Sequence, residues 1–379
     1  MTGTPAEGAI HIRLGVEAGL FSKVVIGNHR ILRATAPLAG RSGDDVPDLV
    51  ARLFSVCRIA QGVASVSAIE GASAVRPDGR QKAARHFLIQ SETLLEHAGR
   101  ACLDWTRLLG EAPLVAVLKR LRSALVDLPD RLFPDGDWLR PGGGRLLTEA
   151  PLLTDRLTAV AEAVDQAILG RFGDDGIPVG DATILGRLAG KFLTDGVAGF
   201  GAMTIGPLPI FEAGPLDARL AADADGGFIA RPDWGGMPYL TGPLARRWDH
   251  PAVRAVIARH GSGLLAHVAA RAVEMAATLR EMQDFAQGLC KDTSSQSEPA
   301  DGGLAVVEAA RGRLVHRVEL DAGKVMRYQI LAPTEWNFHP NGPLVQGLLG
   351  HPAGVDPVSR AGMLVTALDP CVAFRVEML

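Results

Sequence analysis

Apolar and polar residues alternate near the start of the chain, with Ile10, Ile12, Leu14 and Val16 interleaved by His11, Arg13 and Gly15. A period of two puts one set on a single face of a half-buried strand. Residues 21–26 give a second apolar run between Gly19 and Gly27, so the pattern predicts an N-terminal hairpin. From Asp44 the period lengthens to three and four. Leu49, Leu53, Val56, Cys57 and Ala60 make one stripe, with Asp44 or Asp45 available as a cap and Pro47 in the first turn. This predicts a continuous helix over 44–60.

A longer helix is predicted over 80–109, where Phe87, Leu88, Ser91, Leu94, Leu95, Ala98, Ala101, Cys102, Trp105, Leu108 and Leu109 form a sustained stripe. Further helices are expected over 113–128, 152–172, 183–193 and 264–289. The glycine- and proline-rich stretch 204–245 reads as an irregular excursion, and 292–303 as an exposed linker. Strands are expected over 304–308, 313–320 and 325–332, the last two joined by a turn at 321–324, and a short helix over 357–367. The pattern gives a mainly α fold with a small mixed β-region (α+β), the β-layer drawn from both ends of the chain. One domain is expected over 1–379, divided into a hairpin region (1–43), a helical bundle (44–291), a flexible loop (292–303) and a C-terminal β-region with its tail (304–379).

Composition narrows the function classes. At 47% hydrophobic and 21% charged residues the chain has ample core. Lys and Arg total 39 against 42 Asp and Glu, a net charge of -3, so nothing favours nucleic acid or an anionic membrane. No apolar run approaches the roughly 18 residues of a membrane span. The opening residues lack a basic region followed by an apolar stretch, so no signal peptide is expected. Four cysteines are too few for a disulfide scaffold, and reduced thiols in the cytoplasm are the default. Gly142-Gly-Gly144 lacks a following Lys-Ser/Thr, so it is not expected to hold a phosphate.

Two segments stand out: Arg52-Leu-Phe-Ser-Val-Cys57-Arg-Ile-Ala-Gln61 and the C-terminal Asp369-Pro-Cys371-Val-Ala-Phe374-Arg-Val-Glu377-Met-Leu379. Taken alone, each cysteine reads more readily as a small buried hydrophobe than as a ligand. Together the segments resemble the two metal-binding motifs of the large subunit of nickel–iron hydrogenases, in which four thiolates hold nickel and an iron carrying cyanide and carbon monoxide. Other segments extend the resemblance in the same order: Glu7-Gly-Ala-Ile-His-Ile12, Ala64–Glu70, Thr241-Gly-Pro-Leu-Ala-Arg246, Glu308-Ala-Ala-Arg-Gly312 and Ala332-Pro-Thr-Glu-Trp-Asn337. The departures are specific. Phe54 and Phe374 stand where one cysteine of each pair should be, and Gln61 and Glu377 replace the histidines. One cysteine of each pair remains, a pattern similar to the HupK/HoxV family of hydrogenase maturation proteins.

That resemblance implies the hydrogenase large-subunit fold and a scaffold, not a hydrogen-splitting enzyme. Cys57 and Cys371 would be thiolate ligands to a transiently bound iron carrying cyanide and carbon monoxide, with no nickel. Arg311 and Thr334 would donate hydrogen bonds to the cyanides. The implied partners are an upstream hydrogenase maturation complex and an apo hydrogenase large subunit, in the cytoplasm, with no nucleic acid and no membrane. Glu7 matches a buried proton-relay glutamate of the family, with no such role required here. Cys102 is expected in the core, Cys290 as a free thiol, and His339 in a loop. Only two residues follow Glu377, so no C-terminal processing is expected. The two sulfurs are expected close together, with the tail buried against the 49–60 helix, Phe54 near Phe374, and Arg311 pointing into the same pocket. Two other readings stay open: a divergent nickel-dependent oxidoreductase, and a metal-free interaction subunit like the related subunit of respiratory complex I.

Overall fold

In the structure, a computed structural model that describes residues 8–29, 34–147, 150–288 and 302–379, the N-terminal alternation forms two antiparallel strands, β1 (Ala9–Glu17) and β2 (Leu20–Asn28). Ile10, Ile12 and Leu14 are fully buried, as the period of two requires. Glu7, Cys290 and most of the expected 292–303 loop lie outside the described residues.

The bundle is built from α1 (Val46–Leu53), α2 (Arg58–Ala72), α3 (Gly79–Arg100), α4 (Val115–Leu125), α5 (Ala150–Val164), α6 (Ile184–Thr194), α7 (Pro251–His260), α8 (Leu264–Ala286) and α9 (Pro357–Leu368). Asp78 caps α3 by accepting from the Gln81 backbone N–H at 2.8 Å. The helix then runs into a π-turn over Ala101–Trp105, which buries Cys102 in the core. α2 and α8 are buried almost all round, and Phe87 of α3 stacks on Phe285 of α8 with ring centroids 4.5 Å apart. The stretch over 204–245 is less irregular than expected, because it contains the short helices Ala213–Ala222, Gly227–Ala230 and Pro243–Arg246. Among the described residues no single helix is long and apolar enough to cross a membrane.

The continuous helix expected over 44–60 is corrected. α1 ends at Leu53, a 3-10 turn occupies Ser55–Cys57, and the chain bends by 105° before α2. Phe54 leaves helical geometry at φ -113°, ψ 68° and packs on a cluster containing Val46, Val50, Ile69 and Tyr328. Packing of this half-buried ring and an external partner for the first N–H groups of α2 accompany the break, and neither leaves a periodic trace in the sequence.

The β-layer expected from both ends of the chain is present, but it is divided between separate sheets. β3 (Leu304–Ala309), β4 (Gly312–Asp321) and β5 (Lys324–Leu331) form their own antiparallel sheet, with the expected turn after Asp321. The tail forms β6 (Ala373–Met378), which pairs with β1 in a second sheet of order β2–β1–β6. The β1–β6 pairing is parallel, with Ile12 opposite Val376; parallel neighbours need a long crossover, and here the whole bundle supplies it. The tail is therefore a partly exposed strand, not a segment buried against the 49–60 helix. In the triple glycine loop, Gly142 donates to Glu70, which is ion-paired with Arg85 in the interior at 2.8 Å.

Candidate metal centre

The bend before α2 leaves Cys57, half-buried, at the head of that helix. The first N–H groups of a helix have no partner within it. Here Glu92 of α3 accepts from Ile59 at 2.7 Å and from Ala60 at 2.9 Å. A carboxylate at the positive end of a helix suits the macrodipole as well as the hydrogen bonds. One turn on, the buried Gln61 places Nε2 3.7 Å from the Cys57 sulfur.

Cys371 arrives from the other end of the chain. α9 stops at Asp369, whose φ of +55° lies in the left-handed region that Asp tolerates better than most residues. This turn feeds Pro370 and Cys371 past the one-turn helix Pro333–Asn337, whose Thr334 Oγ1 lies 3.1 Å from the Cys371 sulfur. Thr334 thus sits in a helical turn. Its hydroxyl can donate to a thiolate.

Arg311 occupies the two-residue connection between β3 and β4. Arg246 holds that connection by donating to the carbonyls of Ala309 and Ala310 and pairing with Glu274 and Glu308. Gly312 is required there: its φ is +134°, and a Cβ would lie 2.4 Å from Thr241 Oγ1. The buried guanidinium donates from Nη2 to Glu96 at 2.7 Å and from Nε to Asp369 at 3.3 Å. Its Nη1 is buried with no partner among the described residues. Asp369 is shared with Arg100 at 2.7 Å and Arg271 at 3.9 Å.

The electrostatics tie these groups into one site. Burial pushes the Cys57 thiol well above its ordinary value; Cys371 and then Glu92 add to the effect, while Arg311 and Gln61 oppose it. Burial works against the Arg311 cation, but Asp369, Glu96, Cys57 and Cys371 together raise it further. Loss of water around Glu92, only partly offset by the two backbone N–H groups, lifts its carboxyl to about 7. A neutral thiol at Cys57 is therefore the resting form, and binding of a cation must displace its proton.

Cys57, Cys371, Arg311 and Thr334 are thus brought together. The replaced positions are not all beside them. Phe54 packs in its own cluster, Phe374 is 39% exposed on β6, and Glu377 pairs with Arg375 at the surface, so the two phenylalanines do not fill one space. His339 is held in its loop and accepts from the Asn341 N–H. Glu92, Glu96 and His316 escaped the sequence reading, as did the ion pairs of Asp369. Glu92 left a trace, because it falls four residues after Leu88 and three before Leu95, on the edge of an apolar stripe. Among the described residues no group of three or more His, Cys, Asp or Glu side chains is arranged to hold a metal ion. Two thiols beside an unpartnered guanidinium N–H suit a metal that brings its own, hydrogen-bond-accepting ligands.

A family model described as nickel-dependent hydrogenase matches residues 220–376. The chain is 29% identical to the hydrogenase expression/formation protein HupK of Rhizobium leguminosarum bv. viciae, covering 100% of this chain and 98% of that one. It is 31% identical to HupV of Azotobacter chroococcum mcd 1, covering 97% and 98%, and 30% identical to HoxV of Cupriavidus necator, covering 93% and 92%. Both of these also bear the name hydrogenase expression/formation protein. Among solved structures, the reduced Ni-Fe-Se hydrogenase of D. vulgaris Hildenborough superposes with a TM-score of 0.66 at 18% identity, over 94% of this chain and 95% of that chain. The Ni-Fe-Se hydrogenase of Desulfomicrobium baculatum gives a TM-score of 0.65 at 17% identity, over 94% and 95%. The fold is that of a hydrogenase large subunit.

Proposed function

Because the chain belongs to the HupK/HoxV family of hydrogenase expression/formation proteins, we propose that it holds an iron–cyanide–carbonyl group between Cys57 and Cys371 during assembly of a nickel–iron hydrogenase large subunit. The observation that carries this reading is the buried Nη1 of Arg311, without a partner among the described residues, on a guanidinium that both cysteines act on. Low-spin ferrous iron suits soft thiolates, and diatomic ligands fill the positions that protein groups do not. Cyanide nitrogen is an anionic acceptor for Arg311 Nη1 and for the Thr334 hydroxyl.

The iron group is cargo in this reading. Arg311 and Thr334 orient it, the two sulfurs bind it, and the half-buried setting of both cysteines leaves a way out. Its donor would be the upstream maturation complex and its acceptor an apo large subunit, in the cytoplasm. Nickel is not expected, because two of the four thiolates that the hydrogenase centre uses are phenylalanines here.

Protein purified without oxygen from its own host tests this directly. Metal analysis should give iron with little nickel, and the infrared spectrum should show cyanide and carbonyl bands. Cys57→Ser and Cys371→Ser should each abolish the bands, whereas Cys102→Ser should keep them. Stoichiometric nickel would favour a divergent oxidoreductase. Absence of iron and of both bands in the wild-type protein would favour the metal-free interaction subunit.

A further inference from the structure

Gln61 does more than fill the place of a histidine. Its side chain is buried, with Nε2 3.7 Å from the Cys57 sulfur and Oε1 2.9 Å from His316 Nε2. His316, fully buried on β4, has its Nδ1 2.8 Å from the hydroxyl of Tyr328 on β5. Three buried side chains from α2, β4 and β5 thus form one unbroken chain ending on the sulfur.

The direction of this chain follows from its chemistry. Burial lowers the His316 imidazole to about 3, so the ring is neutral and carries one proton. The Gln61 carbonyl oxygen can only accept, so that proton sits on Nε2. Nδ1 is then an acceptor, and the Tyr328 hydroxyl donates to it. The Gln61 amide N–H is left to donate to sulfur. Every link points its donor toward Cys57, and donors in series polarise one another.

We propose that Tyr328, His316 and Gln61 are a positioning relay that presents a hydrogen-bond donor to the Cys57 sulfur and favours it as a bound thiolate. The inference rests on the iron-scaffold reading for its purpose, but the relay itself exists without metal. Gln61 touches the ligand sulfur, while His316 and Tyr328 act through it. A donor to the sulfur withdraws electron density that the thiolate would otherwise pass to iron, so the relay tunes how tightly Cys57 holds its cargo.

Two measurements on the full chain separate the failure of this inference from failure of the function. In metal-free protein, ¹⁵N NMR of the His316 ring should show the proton on Nε2, and Gln61→Leu should remove that preference. A ring proton on Nδ1 in the wild type would reverse the relay and overturn the inference, whatever the protein binds. In iron-loaded protein, Gln61→Leu should shift the carbonyl band to lower frequency, because a thiolate freed of its donor pushes more density through iron into the carbonyl. Tyr328→Phe, which keeps the ring packing, should shift it the same way by less, and Gln61→His should restore it. Unchanged bands in both Gln61→Leu and Tyr328→Phe would reduce the relay to core packing while leaving the iron reading intact.

Discussion

Glu92 shows what a single side chain does at this site. It accepts the first two N–H groups of α2 and faces Glu96 and Cys57, with Arg311 as the nearby cation. Loss of water outweighs the hydrogen bonds and lifts its carboxyl from the ordinary 4.5 to about 7. A folded-state value above the unfolded one means that the folded protein holds this proton more tightly. The resulting stabilisation is complete below about 4.5 and is lost as pH rises through about 7. Glu92→Gln keeps an acceptor for the helix and removes the titration. The melting temperature of the wild type minus that of Glu92→Gln should therefore fall as pH is raised from about 4.5 to about 7, as thermal unfolding across that range would show. A difference that grows with pH would mean that Glu92 is ionised throughout and serves only the helix end. The sequence held a faint sign of this residue in its place on the apolar stripe. It held none of the partner, because α2 and α3 are brought together by packing that no local pattern encodes.

At the scale of elements, periodicity located most of the helices and the 304–331 sheet, because a stripe of period 3.6 or 2 reports directly which face is buried. It failed where two elements exchange groups. The break at Phe54 contains neither glycine nor proline, and the stripe through Cys57 continues across it with unchanged spacing. A tail packed against the 49–60 helix is expected because Cys57 and Cys371 have to meet; pairing with β1 uses the backbone instead and leaves most of the strand's side chains exposed. β1 is consequently the central strand on which both chain ends depend. Ile12 is fully buried, opposite Ile26 of β2 and Val376 of β6. Ile12→Ala should cost about 2–5 kcal/mol, the range for truncating a buried isoleucine. Ser22→Ala on the exposed face of β2 should stay within about 0.5 kcal/mol. Urea unfolding of the two variants gives the comparison, and a small loss for Ile12→Ala would show that the β1–β6 pairing contributes little to the folded state.

Across the whole molecule, one carboxylate joins what the sequence keeps apart. Asp369 lies beyond α9, Arg100 ends α3, Arg271 is inside α8, and Arg311 is in the β3–β4 turn. No spacing or motif in the chain puts these four together; only the resemblance to hydrogenase large subunits hinted that Arg311 and Cys371 meet. Burial works to raise the Asp369 carboxyl, yet Arg311, Arg100 and Arg271 hold it below its ordinary value. The crowding of cations is visible in Arg271, which burial and its neighbouring arginines bring down to about 10 despite the attraction of Asp369. Its Nε and Nη1 are buried and unpartnered among the described residues. Removing the shared anion would leave Arg271 in the interior without its counter-charge and Arg311 with Glu96 alone. Asp369→Ala should therefore cost about 3–5 kcal/mol, as expected when one partner of a buried ion pair is deleted. Asp104 also pairs with Arg100, at 2.8 Å, but nearer the surface, and Asp104→Ala should cost under about 1 kcal/mol. Chemical denaturation distinguishes the two. Because Asp369 also orients Arg311 and stands two residues before Cys371, a folded Asp369→Ala protein at low temperature should lose the cyanide and carbonyl bands that Asp104→Ala retains. Equal stability of the two variants would mean that the arginine cluster is neutralised by Glu96 and solvent, and that Asp369 serves only to turn the chain toward Cys371.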